Sequence, residues 1–136
     1  MDDERYERGR RRMVEVHGER SLRTVEALGD LGRLVIETAY GEIYERPGLS
    51  LRDRQLVSVG VLAALGRSSQ LPQHLRTSLH HGVTAEELAE VIIQVGVLAG
   101  FPVAMNAMAT LRTIAGGAEG GAKRDTSDDG AVVAED

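Results

Sequence analysis

Two segments of this 136-residue chain, 57–65 (VSVGVLAAL) and 91–99 (VIIQVGVLA), are apolar on almost every face when placed on a helix. Helices of this kind are buried rather than laid on a surface. A domain of this length has too little interior to bury both, so we expect other copies of the chain to cover part of them. Close helix approach is favoured by several small residues, namely Gly60, Ala63, Ala64, Gly96 and Gly100. The sequence therefore predicts an obligate homo-oligomer.

Helix start and stop signals enclose both segments. Ser50 followed by Asp53 opens the first helix, and Thr84 with Glu87 forms a capping box before the second. Hydrophobic periodicity and turn residues predict further helices over 3–17, 22–28 (capped by Ser21), 31–45, 71–80 and 103–115. The β-branched run near residue 92 lies inside a span too long and too well capped for a strand. We therefore predict an all-α domain over residues 1–117.

The last twenty residues differ in composition from this domain. They contain six acidic and two basic residues and so account for −4 of the net charge of −5. Gly, Ala, Ser and Asp bury too little apolar surface to offset the entropy of ordering a chain. We expect residues 118–136 to form a disordered acidic tail without a catalytic role.

Composition excludes several function classes. The chain has no cysteine, which removes disulfides, thiolate metal sites and peroxidatic thiols. The arginines of the first helix alternate with glutamates at spacings that favour intrahelical ion pairs, so we expect no nucleic-acid partner. The sequence has no apolar run long enough to span a membrane and no signal-peptide core, so we expect a cytoplasmic protein without a membrane partner.

Three of the four histidines, His74, His80 and His81, fall within residues 70–82, directly before the helix that starts after Thr84. Imidazole titrates near neutrality, so the cluster is a candidate proton-transfer site. Each of these histidines also has a structural interpretation. In that interpretation His74 is a core histidine, and His80 and His81 complement the helix dipole. A metal site is not favoured, because no carboxylate stands at ligand spacing. We expect neither a metal nor a cofactor.

Six motifs between residues 5 and 115 then carry a family resemblance. In order, the chain reads Glu42-Ile43-x-x-Arg46-Pro47-Gly48-Leu49, Arg52-x-Arg54, Ala64-Leu65-Gly66, Leu71-x-x-His74-x-Arg76, Gly82-Val83-Thr84-x-Glu86-Glu87 and Ala99-Gly100-x-Pro102-x-Ala104-x-Asn106. In order and spacing, these motifs resemble the carboxymuconolactone decarboxylase family. Agreement of six separate motifs is more specific than one short pattern.

The resemblance implies an alkylhydroperoxidase-D-like helical fold, assembled as a trimer or a hexameric ring of dimers. The redox branch of that superfamily has a Cys-x-x-Cys pair, and its positions fall at Arg67 and Gln70 here. Neither side chain cycles electrons, so the resemblance favours the decarboxylase branch over a peroxidase. It implies a cofactor-free carboxy-lyase acting on a small anionic substrate.

The resemblance also implies roles for individual residues. His74 matches the family's histidine and is the leading acid/base candidate, with Glu42 to orient it or to relay a proton. Arg46 and Arg54 are candidate holders of the substrate anion; alternatively, they cap helix ends or form ion pairs across subunits. Gln70 stands where family decarboxylases usually have glutamate, and it cannot ionise.

A second departure is the pair His80-His81, where the family tends to have two asparagines. One hypothesis is that the site has been rebuilt, with His80 or His81 in the acid/base role of the missing carboxylate. The expected function is a lyase acting on a carboxylated lactone or β-keto acid by histidine-assisted proton transfer. The alternatives are a non-decarboxylating isomerase, cyclase or tailoring enzyme of secondary metabolism on the same scaffold, and a non-catalytic oligomeric binding protein.

Overall fold

A computed structural model describes residues 2–123, with side chains described through residue 117. Every regular element in that part of the chain is helical, which confirms the predicted all-α class. In chain order the elements are α1 (Asp3–His17), α2 (Glu19–Glu26), α3 (Asp30–Val35), a π-helix (Ile36–Ile43), α4 (Leu51–Ala64), α5 (Leu71–His80), α6 (Ala85–Ala99) and α7 (Phe101–Lys123). No helix of the described residues is both long and apolar enough to cross a membrane.

The two capping signals in the sequence are confirmed. The Ser50 hydroxyl accepts a hydrogen bond from the backbone N–H of Asp53 at 3.1 Å. The Thr84 hydroxyl accepts from the Glu87 N–H, and the Glu87 carboxylate accepts from the Thr84 N–H, both at 3.1 Å. These side chains satisfy N–H groups that lack a partner at a helix start, which fixes where α4 and α6 begin.

The predicted bounds of two helices are wrong. Ser21 does not cap α2, because Gly18 at φ +89° turns the chain sharply and lets the helix start at Glu19. The Ser21 hydroxyl instead donates to the His17 carbonyl at 3.2 Å. The last helix starts at Phe101 rather than at residue 103 and continues past residue 115 to Lys123. Residues 124–136 of the predicted tail lie outside the described residues.

The predicted helix over 31–45 changes type within its length. It begins as α3 and continues as a π-helix, whose wider turns are closed by bonds such as Tyr44 N–H to the Ala39 carbonyl at 2.8 Å. In this stretch the backbone of α1 packs directly against the backbone of the π-helix. A Cβ at Gly41 would lie 2.4 Å from the Arg5 carbonyl oxygen, and one at Gly9 would lie 2.2 Å from the Ile36 carbonyl oxygen. Only glycine allows these helices to come so close.

Two apolar cores form on either side of a seam between α1 and α5. The first joins α1, α2 and the π-helix through Met13, Val16, Leu22, Ile36 and Tyr40. The second joins α4 to α7 through Val59, Ala63, Leu71, Leu75, Val83, Leu88, Ile92, Val95, Ala104, Ala107 and Leu111. The C-terminal end of α1 contacts α5 across this seam. Side chains of both halves therefore meet there.

The two apolar segments bury only part of their surface within one protomer. Six large side chains remain 50–79% exposed, namely Val57, Val61, Leu65, Ile93, Val97 and Leu98. Between α4 and α6 lies an apolar groove of 560 Å³, which we call the α4/α6 groove. Its lining includes Val57, Val61 and Leu98 from this exposed set.

Candidate active site

His74 is the centre of a short hydrogen-bonded chain in the interior. It is half-buried on α5, and its Nδ1 lies 3.3 Å from Oε1 of Gln55 on α4. Gln55 is fully buried, and its amide nitrogen donates to the Tyr44 hydroxyl at 3.4 Å. Gln55 faces inward because it occupies the same helix stripe as the buried Val59 and Ala63. The family-motif histidine is therefore held by a neutral amide rather than by a carboxylate.

The ring of His74 is also in contact with a second histidine ring, that of His17, the last residue of α1. Its centroid lies 4.8 Å from that of His74, with the two rings at 75°. Its Nδ1 lies 2.7 Å from the Thr77 hydroxyl on α5, and its ring meets Tyr40 edge-on at 5.8 Å. These contacts place His17 in the seam, with one histidine from each half of the domain.

Burial dominates the electrostatics of both histidines. Burial lowers the pKa of His74 below its ordinary value. Burial first, and then positive charge on His74 and His81, lower the pKa of His17 to about 4. Burial, followed by the nearby Tyr44, raises the pKa of Tyr40. At neutral pH the seam therefore holds two uncharged imidazoles and a neutral phenol.

His80 and His81 lie at the other end of α5. Their rings stand 5.1 Å apart at 82°. His81 is half-buried, and its Nε2 donates to the Val16 carbonyl at 3.0 Å, which ties the end of α5 to α1. His80 is exposed and borders a cavity of 280 Å³ that His17 also lines. The predicted three-histidine cluster thus divides into His74 in the interior and the pair 80–81 at the surface, with His17 between them.

Two predicted site residues contact other parts of the protein. Gln70 precedes α5 with an exposed side chain that makes no capping hydrogen bond. Glu42 is exposed and forms an ion pair with Arg5 of α1 at 3.1 Å. Among the described residues, neither side chain is hydrogen-bonded to His74, although the Gln70 carbonyl accepts from the His74 backbone N–H at 3.4 Å.

The two predicted anion-binding arginines are neighbours in the structure. Arg54 is half-buried and donates from Nη2 to the Arg46 carbonyl at 2.9 Å. Its Nε is buried and has no hydrogen-bond partner among the described residues. Arg46 is exposed, and within one protomer neither arginine forms an ion pair with Glu42 or Asp53. In the described part of the chain, no three histidine, aspartate or glutamate side chains gather as metal ligands.

Comparison with known proteins identifies the family. The model of the carboxymuconolactone decarboxylase family matches residues 29–113. A 4-carboxymuconolactone decarboxylase from Acinetobacter baylyi is 39% identical over 112 residues, which cover 79% of this chain and 84% of that protein. The chain belongs to the carboxymuconolactone decarboxylase family. A nitrosuccinic acid decarboxylase from Metarhizium robertsii is 33% identical over 82 residues, covering 60% of this chain and 57% of that protein.

Membership of the carboxymuconolactone decarboxylase family confirms the resemblance found in the six motifs. Because the relatives are named as decarboxylases, the expected enzyme class, a carboxy-lyase and not a peroxidase, is also confirmed. The family match covers α4, α5 and α6, and so includes both Gln55 and His74. It begins after α1, so His17 lies outside the matched residues.

Sequence reasoning missed three residues of this site. Gln55 carried a signal, because a lone amide occupies an otherwise apolar stripe of α4. Tyr44 and His17 carried none, since their importance comes from contacts with residues far away in the chain. His17 meets Thr77 across 60 positions of sequence.

Proposed function

We propose that this protein decarboxylates a small organic acid without a cofactor, with His74 as the residue that delivers a proton to carbon. The observation that carries the proposal is the position of His74. It occupies the family's histidine motif, is half-buried, and is held by the fully buried Gln55. A general acid needs this combination of fixed orientation and restricted solvent access.

The hydrogen bonds define which nitrogen is free to act. An amide oxygen only accepts hydrogen bonds, and in the present orientation Oε1 of Gln55 faces His74 while its nitrogen donates to Tyr44. Nδ1 of His74 therefore carries a hydrogen and donates it to Gln55. This leaves Nε2 as the atom that gains and loses the exchangeable proton.

Desolvation suits His74 to this task. Burial lowers its pKa, so the imidazolium form is a stronger acid than free histidine and passes its proton to carbon more readily. Binding of a carboxylate substrate nearby favours the charged form and raises its proton affinity again. The proton is thus taken up when the anionic substrate binds and is released once the negative charge has moved to carbon.

The substrate class follows from the chemistry of carbon dioxide loss. The bond between the carboxylate and its carbon breaks, CO2 leaves, and the electron pair remains on the substrate. That pair is stabilised when it delocalises into a lactone or keto carbonyl, or into a nitro group. His74 then supplies one proton to carbon and later recovers one from water. We therefore propose a carboxylated lactone or β-keto acid, with a nitro acid as a related possibility.

Arg46 and Arg54 are the residues that we propose bind the anion. Arg54 directly precedes Gln55 in the sequence and contacts the Arg46 carbonyl, and a guanidinium binds a carboxylate in a bidentate manner. The buried Nε of Arg54 has no partner among the described residues, so Arg54 has an N–H to offer. An arginine at this point also counteracts the charge on the developing carbanion.

The assembly that we propose is a trimer or hexamer with an alkylhydroperoxidase-D-like protomer, in which a second copy covers the α4/α6 groove. The support is the exposed apolar surface, which includes Leu98 at 79% and Val97 at 70% exposure. Apolar surface of that extent is characteristic of an interaction site.

The test is CO2 release from 4-carboxymuconolactone and from nitrosuccinic acid, with wild-type protein and His74→Gln. We expect the wild type to release CO2 from at least one acid and His74→Gln to lose at least about 100-fold in rate. Arg112→Gln is the matched control, because Arg112 is an exposed residue of α7 away from the seam. Full activity in folded His74→Gln would refute the role of His74. Conversion of an acid without CO2 release would instead favour an isomerase or cyclase.

A further inference from the structure

Packing alone does not explain why a ring nitrogen is present at position 17. Its Nε2 is buried and has no hydrogen-bond partner among the described residues. Leaving a buried polar atom unpaired costs about 1–3 kcal/mol. Phenylalanine or leucine would fill the same volume without that penalty, and an unsatisfied buried group in a native protein calls for an explanation.

The surroundings of His17 suggest what the nitrogen does. On one side its ring is in edge-to-face contact with His74, with centroids 4.8 Å apart. On another side it lines the 280 Å³ cavity, whose border also includes the exposed side chains of Glu15, Arg76 and His80. His17 is thus the group that touches both the interior acid and a cavity bordered by solvent-exposed residues.

Decarboxylation creates a need for such a group. The substrate carboxylate loses CO2, the remaining carbanion takes one proton from His74, and His74 must gain one proton again when the next substrate binds. Resting on the decarboxylase function proposed above, we propose that His17 carries protons between this cavity and His74. The proton enters from water in the cavity at one ring nitrogen of His17, and the other nitrogen releases a proton toward His74.

The chemistry of His17 suits a residue that passes protons on rather than one that keeps a bound proton. A neutral imidazole has one acceptor nitrogen and one N–H donor, so it takes up a proton on one side and gives one up on the other. Burial and the charges of His74 and His81 lower its pKa to about 4, so it does not retain the proton. The other groups facing it are the Thr77 hydroxyl and Tyr40, a phenol whose pKa is raised by burial.

The kinetic test compares wild-type protein with His17→Phe, which keeps a buried ring but has no nitrogen. His74 takes up its proton when the substrate binds, before CO2 is released, so a relay defect lowers kcat and kcat/KM together. We expect kcat and kcat/KM each to fall at least about tenfold, and added imidazole to restore both in His17→Gly. Thr24→Ala on α2 is the control, because among the described residues the Thr24 hydroxyl bonds only the Arg20 carbonyl. Unchanged kcat in folded His17→Phe, or a His17→Gly protein whose kcat added imidazole does not restore, would overturn the relay.

A second measurement needs no substrate and therefore separates this proposal from the function. In protein with 15N-labelled histidine, NMR line shapes report how fast His74 exchanges protons with solvent near its pKa. We expect fast exchange in the wild type and slower exchange in both His17→Phe and His17→Gln, the second of which keeps a side chain able to bond Thr77. An exchange rate that is equal in all folded variants would refute the relay, whichever acid is the substrate.

Discussion

Protonation of His17 should destabilise the fold as the pH falls below neutrality. Folding lowers the pKa of this residue from its ordinary 6.5 to about 4. At ~1.4 kcal/mol per pKa unit, the difference corresponds to roughly 3 kcal/mol. The ring keeps some access to solvent, and screening reduces this contribution to about 2 kcal/mol. The unfolded state binds the proton first, so this stability is fully present above pH 6.5 and is lost as the pH falls toward about 4.

The assay is urea unfolding followed by far-UV circular dichroism, at one protein concentration and a series of pH values across this window. Phe at position 17 does not titrate, whereas the carboxylates and His74 titrate in both proteins. The free energy of unfolding of His17→Phe minus that of the wild type should therefore grow by about 2 kcal/mol from neutral pH to the acid end. The two proteins need not be equally stable at neutral pH, since only the growth of their difference tests the reasoning. Two parallel stability curves would refute a buried, neutral His17.

Three further predictions concern packing, the site and assembly. Gly41→Ala should lower the free energy of unfolding in urea by several kcal/mol, since its Cβ would lie 2.4 Å from the Arg5 carbonyl oxygen. Gly48→Ala should change it little, because no described atom lies within 4 Å of its Cβ, and equal effects would contradict the close helix contact. Gln55→Leu should lower kcat about tenfold by releasing His74, and an unchanged rate in folded protein would exclude the orienting role. Leu98→Lys should reduce the mass measured by light scattering, because it places a charge in the apolar α4/α6 groove; an unchanged mass would place the interface elsewhere.

The elements best predicted from sequence are those defined by local chemistry. The starts of α4 and α6 depend on side chains three residues apart, Ser50 with Asp53 and Thr84 with Glu87, so the sequence alone locates them. The class of fold follows in the same way from hydrophobic periodicity. Oligomerisation, inferred from the apolar segments, stays a prediction.

The features that sequence did not predict depend on contacts between distant parts of the chain. Hydrophobic spacing predicts a regular helix over 31–45, but the close approach of α1 at Gly9 and Gly41 accompanies a π-helix there. The start of α2 was likewise missed, because the backbone conformation of Gly18 rather than a polar cap determines it.

The site shows the same division. His74 was predicted from its residue type and its motif, both of which are visible in the sequence. The residues around it were not predicted, because Gln55 lies 19 positions from His74 in the sequence and the contact of His17 with Thr77 spans 60 positions. Gln70 was included because of its place in the motif, yet its exposed side chain makes no capping contact. Only the folded chain shows which polar groups face each other.

The most direct measurement of the central claim is the hydrogen that the enzyme adds to carbon. Product formed in D2O from an acid that the wild type decarboxylates should contain one deuterium on carbon in a single configuration, because a fixed imidazole delivers it from one side. With His74→Gln, CO2 loss should become too slow to detect, or the residual product should contain deuterium in both configurations. A folded His74→Gln protein that forms the singly deuterated product in one configuration at the wild-type rate would contradict the account.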